Sequence, residues 1–296
     1  TLKNPDYELI KNASKITRIP LIVSGGLTET SDISSILEND SVSGVALGGS
    51  LHYERQSISV LKSELKNKNL SIREKESKKL FFPEKKPLKN VKVGVIDYEM
   101  GNQQSLVNTL NYLGADVFIS KDHKELNKSE ILILPGVGAF PKGMSNLKKY
   151  NLDCFIKEKI QDGFPLIGIC LGMQMLFNDS SEFKLTSGLN LIEGNVRIMK
   201  NNKIKLPHMG WNKIIATDNN FFSLNNSYQY FVHSYVAYNV NNEEVIYKST
   251  YSDESFIVGI KKDKIIGLQF HPERSGIEGM KLLTTIILDQ CKKFNP

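Results

Sequence analysis

The chain has 296 residues, 40% of them hydrophobic, with a formal net charge of +6 at pH 7 and three widely spaced cysteines. This is typical of a globular protein of two domains, or one domain and a fragment, and the cysteine spacing favours neither a disulfide framework nor a metal knuckle. The apolar runs are shorter than a membrane span and the lysines are scattered, so we expect a cytoplasmic protein with no membrane segment, nucleic-acid partner, metal or cofactor.

The first segment, residues 1–73, contains a strand–helix–strand pattern. Two β-branched runs, "IPLIVSGG" (19–26) and "VSGVALGGS" (42–50), each close on glycine. Between them "TETSDISSILEND" opens with capping residues and has apolar residues at helical spacing. Parallel strands need such a crossover, so the pattern predicts one parallel βαβ unit. A further helix is predicted in "SISVLKSELKNKN" (57–69).

A charged linker is predicted at residues 74–90. The stretch "REKESKKLFFPEKKPLKN" is rich in lysine, glutamate and proline and has no sustained apolar period. The hydrophobic pattern restarts at Val91, so we expect a second domain over residues 91–296.

The second domain begins with strands that alternate with helices. The strands are "VKVGVIDY", "ADVFIS", "ILIL" and "PLIGIC", with a helix in "NQQSLVNTLNYLG" and a helical stretch that runs to about residue 162. This order predicts a doubly wound parallel sheet. Beyond Ser187 the pattern changes to successive strands, "NVRIMK", "YQYFVHSYVAY", "EVIYKST", "FIVGIKK" and "IIGLQF", which predict an antiparallel portion before a closing helix.

Cys170 stands where the strand "LIGIC" meets the helix "LGMQMLF". A nucleophile elbow holds its nucleophile at such a joint, with small flanking residues, here Gly168 and Gly172, that allow close approach. The helix N-terminus also favours the thiolate. The alternative is a small buried hydrophobic residue, the commoner role of a free cysteine. Cys154 and Cys291 lack this setting and are expected to be structural.

His271 and Glu273, in "LQFHPERS", are the candidate base and its orienting acceptor. A thiol nucleophile needs both groups, and His271 follows a strand end. The alternative is a core histidine with its hydrogen bonds satisfied. Among the other histidines, His123 is expected to be exposed, and His208 and His233 to lie in separate strand-edge contexts.

The loop "LPGVGAF" follows the strand "ILIL". Its residues Pro135, Gly136, Val137 and Gly138 lie at the sheet edge predicted for Cys170, where such sheets bind ligands. Backbone N–H groups there would stabilise the oxyanion of an acyl-transfer reaction. An ordinary glycine turn is the alternative, although its combination with the other two motifs favours a site.

These three motifs together resemble the class I, triad-type glutamine amidotransferases. Within that class, "DYEMGNQQSL", "PGVGAF", "GICLGMQMLF", "GLNLIEGNV", "LPHMGWN", "YFVHSY" and "GLQFHPERS" resemble the glutaminase subunit of imidazole glycerol phosphate synthase over residues 91–292. The resemblance implies an α/β fold, a flavodoxin-like doubly wound sheet with an antiparallel portion.

The resemblance also assigns roles. It implies that Cys170 attacks the side-chain amide of glutamine, that His271 shuttles the proton and that Glu273 orients His271. Glutamine would be held by Gly136, Val137, Gly138, Gln174, Ser234 and Tyr235. The face toward the cyclase partner would carry Met209, Trp211 and Arg274.

The sequence departs from the family pattern at two positions. The glycine usual in "DYGMGN" is Glu99 here, and the lysine common after H-P-E is Arg274. Neither belongs to the triad. The second leaves the detail of the partner face open.

The first segment resembles strands seven and eight of the cyclase subunit, a phosphate-binding (β/α)8 barrel. Loops after those strands bind phosphate through glycine N–H groups and a helix N-terminus. The corresponding residues are Ser24, Gly25, Gly26, Gly48, Gly49 and Ser50, although ordinary turn glycines are the alternative. The family's catalytic aspartates belong to earlier strands, so no cyclase activity is assigned to the segment.

Three functions remain open at this point. The first is a glutaminase that delivers ammonia to the cyclase of imidazole glycerol phosphate synthase in histidine biosynthesis. The second keeps the thiol chemistry but serves a cyclase-like paralogue in sugar modification. The third is a non-catalytic binding partner that retains the fold.

Overall fold

A computed structural model describes residues 5–17, 21–27, 29–39, 42–47, 58–68, 70, 86–101, 103–200, 205–217 and 225–292. The chain divides into two compact units, Thr1–Leu80 and Phe81–Pro296. Over these described ranges, no helix is both long and apolar enough to cross a membrane.

The first unit is built around two parallel strands. Its elements are α1 (Tyr7–Ile16), β1 (Leu21–Ser24), α2 (Thr30–Leu37), β2 (Val42–Ala46) and α3 (Ile58–Asn67). The strands β1 and β2 pair in parallel, as their sequence predicts, and α2 buries Ile33 and Ile36 in the apolar cluster beside them. Helix α1 is not anticipated by the sequence analysis, and its start is fixed by the Asp6 carboxylate, which accepts from the Leu9 N–H at 2.9 Å.

The second unit opens with strands and helices in alternation. These are β3 (Lys92–Ile96), α4 (Gln104–Tyr112), β4 (Asp116–Ser120), α5 (His123–Leu126), β5 (Ile131–Leu134), α6 (Phe140–Lys149), α7 (Leu152–Gln161), β6 (Leu166–Ile169) and α8 (Leu171–Met175). The rest is mainly strand, in β7 (Asp179–Ser180), β8 (Thr186–Ser187), β9 (Asn195–Ile198), β10 (His208–Lys213), β11 (Ile215–Ala216), β12 (Tyr228–His233), β13 (Tyr235–Tyr238), β14 (Val245–Tyr251), β15 (Glu254–Lys262) and β16 (Ile265–Leu268), before α9 (Gly276–Lys292).

The central sheet runs in the order β4, β3, β5, β6, β16, β15, β13, β9, β7 and β8. The pairs from β4 to β16 are parallel, whereas β16, β15, β13 and β9 pair antiparallel in turn. This is the predicted doubly wound sheet with an antiparallel portion.

Both faces of the inner parallel strands β5, β6 and β16 are buried. In β5, Ile131 and Ile133 join the cluster formed with α4 and α9, while Leu132 and Leu134 join the cluster formed with α6, α7 and α8. Successive side chains of a strand point to opposite faces, so a continuous apolar run is what a strand covered by helices on both sides requires. The arrangement brings the carboxyl ends of β5, β6 and β16 to one edge.

The segment "YQYFVHSYVAY" differs from its prediction as one strand. It forms β12, which pairs with β10 in a separate two-stranded ribbon, and β13, which pairs with β9 and β15 in the central sheet. Buried and less buried residues alternate regularly until Ser234, where the alternation breaks. Alternation along a sequence reports burial but not the identity of the partner strand, so the change of sheet was not visible.

The helical stretch predicted to residue 162 is two helices. Asn151 separates α6 from α7 with φ at 55°, a left-handed conformation that asparagine tolerates better than most residues. The short α5 also differs from expectation, because His123 is half-buried and its ring stacks on Phe155 at 4.6 Å between centroids.

Candidate active site

Cys170 lies at the joint between β6 and α8 in a strained conformation. Its backbone has φ 54° and ψ −108°, outside the regions that side-chain-bearing residues prefer. The strain is held by two backbone hydrogen bonds: the Cys170 N–H donates to the Leu268 carbonyl at 2.7 Å, and the Cys170 carbonyl accepts from the Gln174 N–H at 3.1 Å. The side chain is buried, with 5% of the residue exposed.

Close packing requires the two glycines that flank Cys170. A Cβ on Gly172 would lie 1.8 Å from the Leu134 carbonyl oxygen, and one on Gly168 would lie 2.9 Å from the backbone of Gly172. Larger residues at either position would push the helix α8 away from the sheet. The G-x-C-x-G spacing is therefore a packing requirement of the joint as well as a sequence motif.

His271 reaches the same sheet edge because β16 pairs in parallel with β6. Its backbone N–H donates to the Tyr230 carbonyl at 2.9 Å, and its Nδ1–H donates to Glu273 Oε1 at 2.8 Å. The two side chains are only 4% and 9% exposed. Among the described residues, Nε2 of His271 has no hydrogen-bond partner, so it is the ring atom left to exchange a proton with the thiol.

The charges around His271 favour its protonated form. Burial disfavours a charged imidazole, but the neighbouring Cys170 and Glu273 outweigh burial and raise the pKa of His271 to about 10. A thiolate beside an imidazolium is the state that such an arrangement stabilises. Cys170 Sγ also lies 3.8 Å from Gln269 Nε2, a neighbour that the sequence analysis did not single out although it belongs to "LQFHPE".

The P-G-V-G loop presents the Gly136 carbonyl to the residue that follows Cys170. The Leu171 N–H donates to the Gly136 carbonyl at 3.3 Å, whereas the sequence motif predicts N–H groups on this side of the loop. Only the order of residues, and not the orientation of a peptide plane, can be inferred from a glycine-rich motif. For the Val137 N–H to face the elbow, the peptide joining Gly136 to Val137 would have to turn over, which changes ψ of Gly136 and φ of Val137; glycine at position 136 tolerates the first change.

Gly136 itself is held by close packing. A Cβ there would lie 1.9 Å from the Tyr98 hydroxyl oxygen, and that hydroxyl donates to the Pro135 carbonyl. Val137, next in the loop, is 40% exposed. The loop is thus held in place at Pro135 and Gly136 and becomes exposed to solvent at Val137.

Gln174 and Tyr235 lie together, and Ser234 precedes Tyr235 at the bend between β12 and β13. The Gln174 side chain is buried, and its Nε2 donates to the Tyr235 carbonyl at 3.0 Å and to Gln269 Oε1 at 3.1 Å. Both amide hydrogens are thus used within the protein, which leaves the amide oxygen for a ligand. Ser234 and Tyr235 are half-buried.

Met209 and Trp211 point outward from β10, with 61% and 55% of their surfaces exposed. Trp211 is therefore not part of the core, and its ring meets Tyr230 edge-on at 6.1 Å between centroids. Arg274 is also exposed, directly after Glu273. These three residues remain candidates for a partner face.

His208 and His233 are not in the separate settings expected from the sequence. They are opposite each other in the β10–β12 ribbon, and their rings are joined by a hydrogen bond of 3.1 Å between Nδ1 and Nε2. Burial lowers the pKa of His208 to about 4; burial, together with the charges of His208 and His271, lowers that of His233 to about 3. No spacing rule could pair them, because 24 residues separate the two in the sequence.

In the first unit, the candidate phosphate residue Ser24 ends β1, and Gly25 and Gly26 follow it. The glycines have φ of 100° and 71°, and the Ser24 hydroxyl donates to the Ala46 carbonyl at 3.2 Å. Gly48, Gly49 and Ser50 lie outside the described residues.

Comparison with known families gives the site its context. The family described as glutamine amidotransferase class-I matches residues 94–289. The chain belongs to the class I glutamine amidotransferase family. It is a glutamine amidotransferase enzyme, and the resemblance drawn from its motifs is confirmed, as is the expected fold. A second family, described as histidine biosynthesis protein, matches residues 1–57.

Curated relatives of this amidotransferase are named imidazole glycerol phosphate synthase subunit HisH. The protein of Lactococcus lactis subsp. lactis (strain IL1403) is 43% identical over 199 residues, which cover 66% of this chain and 98% of that protein. The protein of Caldanaerobacter subterraneus subsp. tengcongensis is 45% identical over 195 residues, covering 64% and 95%.

Solved structures share the fold. A structure described as glutamine amidotransferase has a TM-score of 0.55 at 19% identity and covers 68% of this chain and 98% of that one. PurLQS from Thermotoga maritima has a TM-score of 0.53 at 20% identity, covering 68% and 98%. At such identities the likeness concerns the fold alone.

Proposed function

We propose that this amidotransferase is the glutaminase of imidazole glycerol phosphate synthase, that it hydrolyses glutamine with a Cys170–His271–Glu273 triad, and that it passes the ammonia to a cyclase in histidine biosynthesis. The observation that carries the proposal is the buried His271–Glu273 hydrogen bond of 2.8 Å beside a strained, buried cysteine. The choice of acceptor is supported by the names of the curated relatives, which are subunits of imidazole glycerol phosphate synthase.

The first half-reaction forms a thioester. The Cys170 thiol gives its proton to Nε2 of His271, and the thiolate attacks the side-chain amide carbon of glutamine. A C–S bond forms, the C–N bond breaks, and His271 returns the proton to the departing nitrogen as ammonia leaves. Glu273 keeps the imidazole in the orientation in which Nε2 faces the sulfur.

The second half-reaction releases glutamate. Water loses a proton to His271 and attacks the thioester carbonyl, the C–S bond breaks, and the proton returns to the sulfur. The negative oxygen that forms in each half-reaction needs N–H donors. We assign them to Leu171 and to the peptide between Gly136 and Val137, once that peptide has turned, with Val137 and Gly138 lining the same loop.

Glutamine itself would be held by Gln174, Ser234 and Tyr235. The amide oxygen of the buried Gln174 side chain and the half-buried bend at Ser234 would provide acceptors and donors for its polar groups. The reaction needs neither a metal nor a cofactor, because the thiol and imidazole supply the nucleophile and the acid–base group.

A cyclase subunit would bind as a heterodimer partner, in the cytoplasm, against the face that carries Met209, Trp211 and Arg274. Exposed methionine and aromatic side chains are enriched in such interfaces. The first unit would contribute a phosphate site from Ser24, Gly25 and Gly26 together with Gly48, Gly49 and Ser50. Glycine N–H groups suit that ligand.

The test combines the chain with a complete cyclase subunit and glutamine. We expect glutamate and ammonia to form, a rapid quench to leave a glutamyl adduct on the Cys170 peptide, and ring closure to imidazole glycerol phosphate to follow. Cys170→Ala should abolish ammonia release with the fold intact, whereas Cys154→Ala, on α7, should barely affect it. Retained activity in Cys170→Ala would contradict the triad, and hydrolysis without ring closure would favour a cyclase-like paralogue as partner.

A further inference from the structure

A chain of hydrogen bonds runs from the β10–β12 ribbon to the sulfur of Cys170. It begins at Asn212 Nδ2, which lies 3.5 Å from His208 Nε2, and continues through the His208–His233 pair at 3.1 Å. His233 Nδ1 then lies 3.1 Å from the Tyr235 carbonyl.

The same carbonyl receives a second donor. Gln174 Nε2 donates to it and also donates to Gln269 Oε1, at 3.0 Å and 3.1 Å. Gln269 Nε2 in turn lies 3.8 Å from Cys170 Sγ, within hydrogen-bonding distance for sulfur. The path therefore joins two strands of the ribbon to the nucleophile.

The donor and the acceptor of each hydrogen bond can be assigned by starting from the Tyr235 carbonyl, which can only accept. A carbonyl only accepts, so His233 must carry its proton on Nδ1, which leaves its Nε2 as an acceptor. His208 must then donate from Nδ1 and accept from Asn212 on Nε2. Burial lowers the pKa of both rings, which agrees with this pair of neutral tautomers.

Gln269 ends the path as a donor. Its oxygen accepts from Gln174, so its amide orientation is fixed and an N–H faces the sulfur. The residue is fully buried, with 0% exposed, so water does not compete for that N–H. A hydrogen bond to a charged group in such surroundings is among the stronger kinds.

We infer that Gln269 is a catalytic residue that donates a hydrogen bond to the Cys170 thiolate, and that Gln174 is a positioning residue that fixes the orientation of its amide. His233 and His208 are positioning residues one step further away, because they hold the Tyr235 carbonyl to which Gln174 donates. This role rests on the proposed function, in which the Cys170 thiolate is the nucleophile. The Cys170 sulfur would then have two partners, the charged imidazolium of His271 and the neutral amide N–H of Gln269.

Two other titratable groups act on the sulfur. His271 faces it from the turn after β16, and Tyr98 interacts with it from the loop after β3. Burial, with a smaller contribution from the charge of Cys170, raises the pKa of Tyr98, so this phenol stays neutral. His271 and Tyr98 therefore stay unchanged in every Gln269 variant, so that a shift in the titration of the thiol can be assigned to Gln269.

The test measures the alkylation rate of Cys170 by iodoacetamide against pH, read by mass spectrometry of its peptide, in the full chain. Gln269→Met keeps the volume and removes the donor. We expect its titration midpoint to rise by about one pH unit, which is tenfold less thiolate at a fixed pH below both midpoints. Gln290→Met is the matched control, because Gln290 is also buried, at 1% exposed, but lies in α9 with its amide on Asp289.

A second variant guards against misfolding. Gln269→Asn retains a buried amide and withdraws it from the sulfur by one methylene, so we expect a shift in the same direction. His208→Phe keeps the ring stacked on Tyr251, at 4.1 Å between centroids, and removes the donor to His233. It should produce a smaller shift, and nitrogen NMR of the wild type should show His233 neutral with its proton on Nδ1.

The outcomes separate this inference from the proposed function. Loss of glutamine hydrolysis in Cys170→Ala together with an unshifted thiol titration in both Gln269 variants would overturn the inference and leave the triad standing. An equal shift in Gln290→Met would also overturn it, since the effect would then be general. Full hydrolysis in Cys170→Ala would instead remove the proposed function on which the inference rests.

Discussion

Two residues that carry side chains lie in unusual backbone conformations near the site, Cys170 and Glu99. The strain at Cys170 aims its side chain out of the sheet edge, as the proposed nucleophile elbow requires. At Glu99, φ is 61°, which explains why a glycine is usual at this position of the family pattern. The Glu99 carboxylate accepts a hydrogen bond from Tyr150 and contacts Lys121 and Lys149, and these contacts lower its pKa to about 2.

This position gives a prediction with a matched pair of variants. Glu99→Gly loses the exposed ion pairs but relieves the left-handed strain, so its free energy of unfolding should stay close to that of the wild type. Glu99→Ala loses the same contacts and keeps the strain, so it should be less stable than Glu99→Gly by about 1 kcal/mol. Urea denaturation of both variants measures the difference, and equal stabilities would show that the backbone here is not strained.

The elements nearest the site were predicted unequally well. The strands β5, β6 and β16 follow from short apolar runs, and the elbow follows from its glycines, because local chemistry fixes both. The ribbon of β10 and β12 could not be predicted, since pairing His208 with His233 depends on a contact distant in sequence. The same reason hid Gln269: its position beside Cys170 exists only once β16 has paired with β6.

The ribbon carries a prediction about the partner face. Trp211 is more than half exposed, so Trp211→Ala should weaken association with a complete cyclase subunit by about 2 kcal/mol or more. The melting temperature should change little, because few contacts within the chain are lost. Calorimetric titration and thermal unfolding together decide the matter: a large fall in melting temperature with unchanged affinity would contradict the assignment.

The histidine pair of the ribbon predicts an acid sensitivity. The folded-state pKa values of His208 and His233, about 4 and about 3, lie below the usual value of about 6.5. At pH values between the folded-state and the unfolded-state pKa, the unfolded chain binds more protons than the folded chain. The contribution of the neutral pair to the free energy of unfolding is therefore full above pH 6.5 and falls as the pH is lowered. Protonation of the two histidines in the unfolded chain should lower the free energy of unfolding by about 2 kcal/mol between pH 6 and pH 5.

Urea denaturation followed by circular dichroism at several pH values tests this sensitivity. The double variant His208→Phe, His233→Phe should lose that part of the slope while the contributions of the carboxylates remain. A slope equal to that of the wild type would show that the two rings do not titrate as buried neutral groups.

At the scale of the whole chain, the described residues of the two units differ in the size of their apolar clusters. The second unit has two extensive apolar clusters, one on each face of its sheet. In the described part of the first unit the apolar cluster is small, and Leu9, Ile16 and Ile22 are exposed by 64%, 83% and 66%. Two parallel strands leave unpaired edges, and a core of this size supplies only a few kcal/mol.

We therefore predict that the chain alone hydrolyses glutamine slowly and closes no imidazole ring, and that residues 1–73 are its least stable part. Addition of a complete cyclase subunit and its ligand should raise glutaminase turnover sharply. Hydrogen exchange should find residues 91–292 protected and residues 1–73 exchanging fast. Full activity of the chain alone, or equally slow exchange in both parts, would contradict this view.

Trp211 is the single tryptophan of the chain, and it lies on the outward face of β10. Excitation of the indole therefore reports on one patch of surface and on nothing in the interior. The free protein should emit at the long wavelengths of a hydrated indole and be readily quenched by iodide, and its emission maximum should hardly move on denaturation. Covering the ribbon should shift the emission to shorter wavelengths and shield it from the quencher, so the chain carries its own optical probe of complex formation.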